Sequence, residues 1–185
     1  EASALKRKKR SFDELTSELA DHIRKRWEAG RDNRFWSDLA MRCRVEGSHR
    51  YARTRVDDHK LPAATRARWL RLLRQYGEAD VLPLGVKYFR SSEPTEVRSQ
   101  AMEVLGRFGK PRDLGLIVAA YPKLAASLQP RARQLVFGHL ETARAMLELV
   151  DRKQVKAKTI DVVELRALAS HKDPRLTALV KKHWG

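Results

Sequence analysis

Arginines in the N-terminal half of the sequence are the side chains best suited to binding another molecule. A guanidinium group pairs with phosphate or sulfate through two parallel hydrogen bonds. If successive helices present such groups along one concave surface, they form a basic stripe that binds a polyanion, either nucleic acid (DNA or RNA) or an acidic polysaccharide. The residues that we assign to this stripe are Arg42, Arg50, Arg53, Arg55, Arg68, Arg71 and Arg74.

The overall charge allows two interpretations of these arginines. The sequence carries 39 basic and 23 acidic residues, which gives a formal net charge of +16. A charge of this size favours a polyanionic partner. A strongly solvated surface on an arginine-rich protein would give the same composition, and the basic residues are spread along the chain. The basic run in the arm of residues 1–10 is typical of either a flexible linker or an anion contact.

Motifs for enzyme chemistry are absent from the sequence. It contains no Gly-x-Ser-x-Gly elbow, no glycine-rich phosphate loop and no His-Glu-x-x-His motif. A single cysteine, Cys43, rules out an internal disulfide, a cysteine-based zinc site and the Cys-x-x-Cys-His haem motif. His49 and His59 lie near Asp57 and Asp58, but without the spacing of metal ligands on a helix. We therefore expect a non-enzymatic protein without cofactor or metal, in which Cys43 is a small buried side chain.

Helices must position the arginines, and residues 61–124 indicate how. This stretch reads as two copies of one unit, each with a proline, an apolar helix, a glycine and a second apolar helix. Proline suits the first turn of a helix, and glycine suits the position just past its end, where φ is often positive. Every landmark recurs 32 residues later: Pro62 at Pro94, Arg66 at Arg98, Leu70 at Met102, Leu73 at Leu105 and Gly77 at Gly109.

Paired helices at this period are typical of HEAT-type repeats. The sequence therefore predicts an all-α fold, a HEAT-like helical-repeat solenoid in which antiparallel helix pairs form a right-handed superhelix. We expect roughly nine to eleven helices and no sheet. Because they occupy equivalent helical positions in the two copies, Leu70, Leu73, Met102 and Leu105 are predicted to face the core.

Residues 11–60 are predicted to form N-terminal helices, as a degenerate or capping repeat before the repeats of residues 61–185. Ser11 and Glu14 form a capping box for the first helix. Asp32 or Asn33 caps a second helix, and Ser48 caps a third. The second helix is predicted to run through Phe35, Trp36, Leu39, Ala40, Cys43 and Val45 and to stop near Gly47.

The C-terminal part continues the pattern less regularly. A third unit opens at Pro130. Asp161 is predicted to cap a helix whose apolar residues include Val163, and Asp173 to open the last helix, where Trp184 seals the stack and caps the repeats.

Several short runs in residues 60–185 occur in an order that resembles a known family. They are Glu96-Val97-Arg98, Leu105-Gly106-Arg107-Phe108, Ala119-Ala120-Tyr121-Pro122-Lys123-Leu124, His171-Lys172-Asp173-Pro174 and Trp184-Gly185. This order resembles the HEAT-repeat region of the large planctomycete-type haem-binding proteins. In that family the solenoid sits between an N-terminal dehydrogenase-like β-propeller and a C-terminal c-type cytochrome module.

The resemblance implies that this chain is the spacer of such a protein, either a fragment or a piece left after processing. It would contact protein domains or subunits of an electron-transfer assembly, and an extracytoplasmic, periplasmic location would follow because the family is exported. The haem motif of the family has no counterpart in this sequence, so we expect no covalently bound haem.

Two functions follow from different features of the sequence. The repeat pattern favours a non-catalytic scaffold that mediates protein–protein or interdomain contacts. The charge favours a basic HEAT-like module that binds a polyanion, a class that includes HEAT-like DNA glycosylases. Trp27, Trp36, Trp69 and Trp184 could stack on bases, although each lies where a core residue is expected. No apolar run reaches about 18 residues, so we expect no membrane span.

Overall fold

The computed structural model describes residues 17–185, which form eleven α-helices and no β-strand. The predicted all-α fold and helix number are thereby confirmed for this part of the chain. The predicted arm of residues 1–10 and the capping box of Ser11 and Glu14 lie outside the described residues. The helices are α1 Ser17–Ala29, α2 Arg34–Arg42, α3 Ser48–Asp57, α4 Ala63–Tyr76, α5 Leu82–Arg90, α6 Thr95–Phe108, α7 Pro111–Ala120, α8 Gln129–Phe137, α9 Leu140–Asp151, α10 Val162–Ala169 and α11 Pro174–Trp184.

The chain divides into two compact units, Glu1–Val81 and Leu82–Gly185. We call them the N-terminal unit and the C-terminal unit. Within the described residues, no helix is both long and apolar enough to cross a bilayer. The predicted division at residues 10 and 60 stays a prediction.

The N-terminal unit is built around an apolar cluster from α1, α2 and the segment that follows α2. Its buried members are Ile23, Trp27, Ala40, Cys43 and Val45. The prediction that Cys43 is a buried side chain is confirmed. Burial raises the pKa of its thiol, and the nearby Arg42 partly opposes this effect. A thiol of raised pKa carries little thiolate, so Cys43 is a packing residue.

Two sequence predictions in this unit were wrong in detail. The second helix ends at Arg42, before Cys43 and Val45, which were predicted to belong to it. Phe35, near its start, is 66% exposed, because only one side of this short helix faces the cluster. The N-cap of α3 is Gly47, which has a left-handed φ of 79°, and not Ser48. Ser48 is instead the first helical residue, and its hydroxyl donates to the carbonyl of Ala40 at 3.4 Å. The predicted cap of α2 is confirmed as Asn33, whose side chain accepts from two backbone N–H groups.

The predicted 32-residue recurrence is visible in α4 and α6. Both helices have 14 residues, both begin after an N-cap proline and both end before a glycine. The four side chains predicted to face the core, Leu70, Leu73, Met102 and Leu105, are completely buried, which confirms the helical register.

The glycines after these helices have a different role from the one that we predicted. Gly77 and Gly109 have φ angles of −82° and −75°, so neither adopts the left-handed conformation. A Cβ atom on Gly77 would overlap the carbonyl oxygen of Leu73, and one on Gly109 would overlap that of Leu105. Each glycine donates its N–H to that same carbonyl. Both positions therefore require glycine because their Cα atoms lie close to the carbonyl oxygens in the last turn of the preceding helix.

Side chains from neighbouring helices cap the C-terminal carbonyls of α3 and α4. The Arg66 Nε atom donates to the carbonyl of Val56, in the last turn of α3, at 2.8 Å. His49 of α3 donates from Nε2 to the carbonyl of Tyr76, the last residue of α4, at 3.3 Å. Such carbonyls have no partner within their own helix, so these bonds satisfy buried acceptors and fix α3 against α4.

Small residues let the helices of the C-terminal unit approach closely. A Cβ atom on Gly85 of α5 would lie 2.6 Å from a methyl group of Val104 in α6. A Cβ atom on Gly106 of α6 would overlap the side chain of Leu135 in α8. Replacing either glycine by a larger residue would therefore push two packed helices apart.

Aspartates cap the last two helices, as the sequence predicts. Asp161 accepts from the N–H of Glu164 at 2.8 Å and forms a capping box with it. Asp173 accepts from the N–H of Leu176 at 2.9 Å and also binds the guanidinium of Arg144 on α9. Val163, one of the apolar residues of this helix, is 72% exposed, because α10 turns only the side that bears Leu168 toward the core.

We predict opposite effects for two glycine-to-alanine changes in the C-terminal unit. Gly109→Ala should lower the free energy of unfolding by about 1 kcal/mol or more, because the new methyl group meets backbone. Gly115→Ala, inside α7 with nothing within 4 Å of the added Cβ, should raise it by about 0.5–1 kcal/mol. Urea denaturation of both variants measures the difference. Equal effects would contradict the close-approach explanation for Gly109.

Candidate anion-binding surface of the N-terminal unit

All seven arginines of the predicted stripe lie in the N-terminal unit, on α2, α3 and α4. Arg53, Arg55 and Arg68 donate hydrogen bonds to groups inside the unit, and Arg74 is half-buried. The other three, Arg42, Arg50 and Arg71, are exposed and form no side-chain hydrogen bond or ion pair with any described residue.

The arginines of α3 are held by carboxylates. Arg53 donates to a carboxylate oxygen of Asp80 at 2.6 Å and to its backbone carbonyl at 3.2 Å. Arg55 makes a two-pronged pair with Asp32, at 3.1 Å from Nε and 2.7 Å from Nη2. Its Nη1 atom lies 3.3 Å from Asp58. These groups tie α3 to the turns on either side, so they serve the fold first.

Arg68 is half-buried and links α4 to α2. Its Nη2 atom donates to the backbone carbonyl of Arg34 at 3.0 Å and to the hydroxyl of Ser37. The guanidinium lies over the ring of Trp69, 4.8 Å from the ring centroid. Burial lowers the pKa of Arg68, and repulsion from the cations of Arg34 and Arg71 adds to the effect. Arg34 and Arg71 are therefore both close enough to Arg68 to repel its charge, whereas Asp38 and Asp32 attract it.

Arg74 is the predicted stripe residue that has a buried side-chain nitrogen without a partner in the described part of the chain. It is half-buried, and its Nε atom has no hydrogen-bond partner among the described residues. The structure therefore brings together Arg68 and Arg71, with Arg34 as a further member that the sequence did not suggest. Arg53 and Arg55 are occupied elsewhere.

Aromatic rings line the unit beside these arginines. Tyr51 makes edge-to-face contacts with Trp27 and Trp69, at centroid distances of 6.1 and 5.6 Å. Arg31 lies over Trp27 and Tyr51, at 5.0 and 5.5 Å from their centroids. Trp27 and Trp69 are almost completely buried, so their rings serve as core and not as exposed stacking platforms.

A cavity of about 280 Å³ opens where α4 begins. Arg34, Thr65, Arg68 and Trp69 are part of its wall, together with the Arg55–Asp32 pair. A larger polar cavity of about 510 Å³ lies beside Arg31 and Arg50, but Glu28 and Glu46 also line it and offset their charge.

The C-terminal unit has a groove of about 380 Å³ between α8 and α10. Arg133 at its base is buried, donating from Nε to both oxygens of Glu164 at 2.8 and 3.0 Å and from Nη1 to the hydroxyl of Tyr121 at 2.7 Å. His171 donates to the carbonyl of Phe137, at the end of α8, at 2.7 Å. The buried charge is thus paired with a carboxylate and hydrogen-bonded, which is typical of a structural ion pair.

The histidines and aspartates considered for a metal do not form a ligand set. His49 is bound to the carbonyl of Tyr76, and burial is the main cause that lowers its pKa. No group of three histidine, cysteine or carboxylate side chains in residues 17–185 is close enough to hold a metal ion.

Sequence reasoning missed Arg34 and Thr65 because neither is part of a periodic pattern. Arg34 directly follows the N-cap of α2, and Thr65 lies in the first turn of α4. The available signal was the start of α4, which has a proline at the N-cap and no acidic residue in its first turn. Helix starts of this kind leave positive potential unneutralised. Comparison of the chain with protein-family profiles, with curated proteins and with solved structures found no match.

We predict that Asp173 makes the C-terminal unit sensitive to acid. The hydrogen bond from Arg144, and next that from the N–H of Leu176, lower the pKa of Asp173 to about 2. Since its pKa is lower in the folded state, its contribution to stability is present above about pH 4 and is lost as the pH falls toward 2.

Asp173→Asn should therefore flatten the decline in stability between about pH 4 and pH 2, measured by urea denaturation at each pH. The matched control is Asp161→Asn, which changes the other aspartate N-cap, one that has no arginine partner among the described residues. An unchanged slope in Asp173→Asn would contradict the assignment.

Proposed function

We propose that this chain is a non-catalytic helical-repeat scaffold, a HEAT-like solenoid that holds neighbouring protein domains or subunits in position. The observation that carries the proposal is the recurrence between α4 and α6. The two helices share their length, an N-cap proline, a C-terminal glycine in extended conformation and four equivalent buried positions. Recurring helices of this kind bury their apolar faces against one another in stacked repeats.

The use of arginine in this protein agrees with a scaffold. Arg55, Arg66, Arg68 and Arg133 all donate to carboxylates or backbone carbonyls on other elements. Positive charge therefore contributes to joining helices, and the net charge does not by itself require a polyanionic partner. The resemblance to the HEAT region of the planctomycete-type haem-binding proteins supports the same role, between a propeller and a cytochrome module outside the cytoplasm.

The scaffold is tested by the mass of the native assembly. A tag on the natural protein, followed by native mass spectrometry, should show this chain as part of a longer polypeptide or in fixed stoichiometry with other protein domains. Recovery as a monomer of 21.3 kDa, the mass of this chain, would contradict the proposal.

A pair of variants identifies the contact surface of the scaffold. Val162 and Val163 are the exposed large apolar side chains of the C-terminal unit, and exposed apolar groups are favoured at the centre of protein interfaces. Val163→Asp should release the partner, whereas Ala169→Asp, the same charge on an exposed position of the same helix, should not. Equal retention of the partner in both variants would exclude α10 from the interface.

A second candidate function, polyanion binding, is favoured by the three exposed arginines Arg42, Arg50 and Arg71. If they contact duplex DNA, changing all three to Gln should make the slope of log affinity against log salt shallower by about 0.9 for each lost phosphate contact. Arg53→Gln is the matched control, because this arginine already pairs with Asp80. A salt titration of the triple variant and of the control, with duplex DNA and with a sulfated glycan, measures the two slopes. Weak binding to both polymers at low salt would exclude this function.

A further inference from the structure

We propose that the cavity at the start of α4 binds the phosphate group of a small phosphate monoester. The site, which we call the Arg34–Arg68 pocket, has Arg34, Thr65, Arg68 and Trp69 in its wall. It is a binding site in addition to the scaffold function and does not depend on it.

The carboxylate in the wall of the pocket is already neutralised. Asp32 accepts two hydrogen bonds from Arg55 and one from the hydroxyl of Tyr51, the last at 3.2 Å. The third outer nitrogen of Arg55 is directed at Asp58. The Arg55–Asp32 pair therefore forms one wall of the pocket. Neither of the two remaining cations, Arg34 and Arg68, forms an ion pair with a described carboxylate, and Asp38 and Asp32 act on Arg68 only from a longer distance.

Those cations, Arg34 and Arg68, have donors to spare. Arg68 uses only Nη2 for its contacts with α2, and no described residue accepts from its Nε or Nη1. The guanidinium of Arg34 has no partner in the described part of the chain. Each guanidinium has five N–H donors in a planar fork that matches a tetrahedral oxyanion. Repulsion between two nearby cations is relieved when a dianion binds between them.

The remaining wall adds neutral donors. Thr65 lies in the first turn of α4, a 14-residue helix whose N-cap, Pro62, provides no side-chain acceptor. The backbone N–H groups in the first turn of α4 and the dipole of this helix favour an anion at this end. The indole Nε1 of Trp69 is buried, and no described residue accepts its hydrogen. A buried donor without acceptor is costly, so a phosphate oxygen within reach would stabilise the protein.

Size and charge favour a monoester over a polymer. The two guanidinium groups without an ion pair, those of Arg34 and Arg68, match a phosphate monoester, which carries about −1.5 to −2 at neutral pH. A phosphodiester backbone offers one charge at each phosphate and needs a continuous stripe, which the ion pairs of Arg53 and Arg55 interrupt. The volume of about 280 Å³ is at the lower end of ligand pockets and suits a small phosphorylated molecule.

The test is isothermal titration of the full chain with glycerol 3-phosphate at low salt. Arg34→Gln should weaken binding about tenfold or more, the loss expected for one charge-assisted hydrogen bond. Arg50→Gln removes the same charge from the neighbouring cavity and should change affinity by less than about twofold. Affinity should rise from pH 5 to pH 7, because the monoester loses its second proton near pH 6.

Arg34 is exposed, so its variant should fold, and circular dichroism checks this. Thr65→Val, which keeps the shape and removes the hydroxyl, should also weaken binding. The absence of saturable binding to glycerol 3-phosphate would overturn the proposal. Equal losses in Arg34→Gln and Arg50→Gln would overturn it too, since they would indicate diffuse surface charge. Tighter binding of duplex DNA than of the monoester would also overturn it, because the Arg34–Arg68 pocket would then be part of a polyanion-binding surface.

Discussion

The structure depends on satisfying backbone carbonyls at the ends of short helices. Most helices here have 8 to 14 residues, so a large share of their backbone lies in terminal turns where the carbonyls have no partner within the helix. Arg66, His49 and His171 each donate to such a carbonyl on another helix. The donor and the carbonyl lie on different elements. Each such bond therefore satisfies the end of one helix and also holds a second element against it. The cation of Arg66 also suits its position, since the carbonyl end of a helix carries negative partial charge.

This constraint changes the meaning of the high basic content. A count of arginines predicts a polyanion-binding surface only if the guanidinium groups are free. Arg55 donates to two carboxylates, and Arg133 to a carboxylate and a tyrosine, so neither has much capacity for a ligand. Arg68 uses a single nitrogen. The number of unused donors, and not the charge, therefore separates structural arginines from candidates for binding.

The sequence predicted the parts of the fold that depend on local chemistry. Periodicity placed Leu70 and Leu105 in the core, and side-chain acceptors placed the starts of the helices after Asn33, Asp161 and Asp173. Positions that depend on which neighbour packs against a helix were not predictable. Phe35 and Val163 continue an apolar pattern but face solvent, since their short helices cover the core with one side only.

The candidate site was only half predictable, for a related reason. Periodicity identified Arg68 and Arg71 as neighbours on one helix. Their relation to Arg34 is set by the packing of α2 against α4, across more than 30 residues of sequence. Asp32 binds Arg55, so it forms no ion pair with Arg34 or Arg68. Ion pairs between distant residues thus determine where positive charge remains available. Among the described residues, this selects the start of α4, where the helix dipole has the same sign.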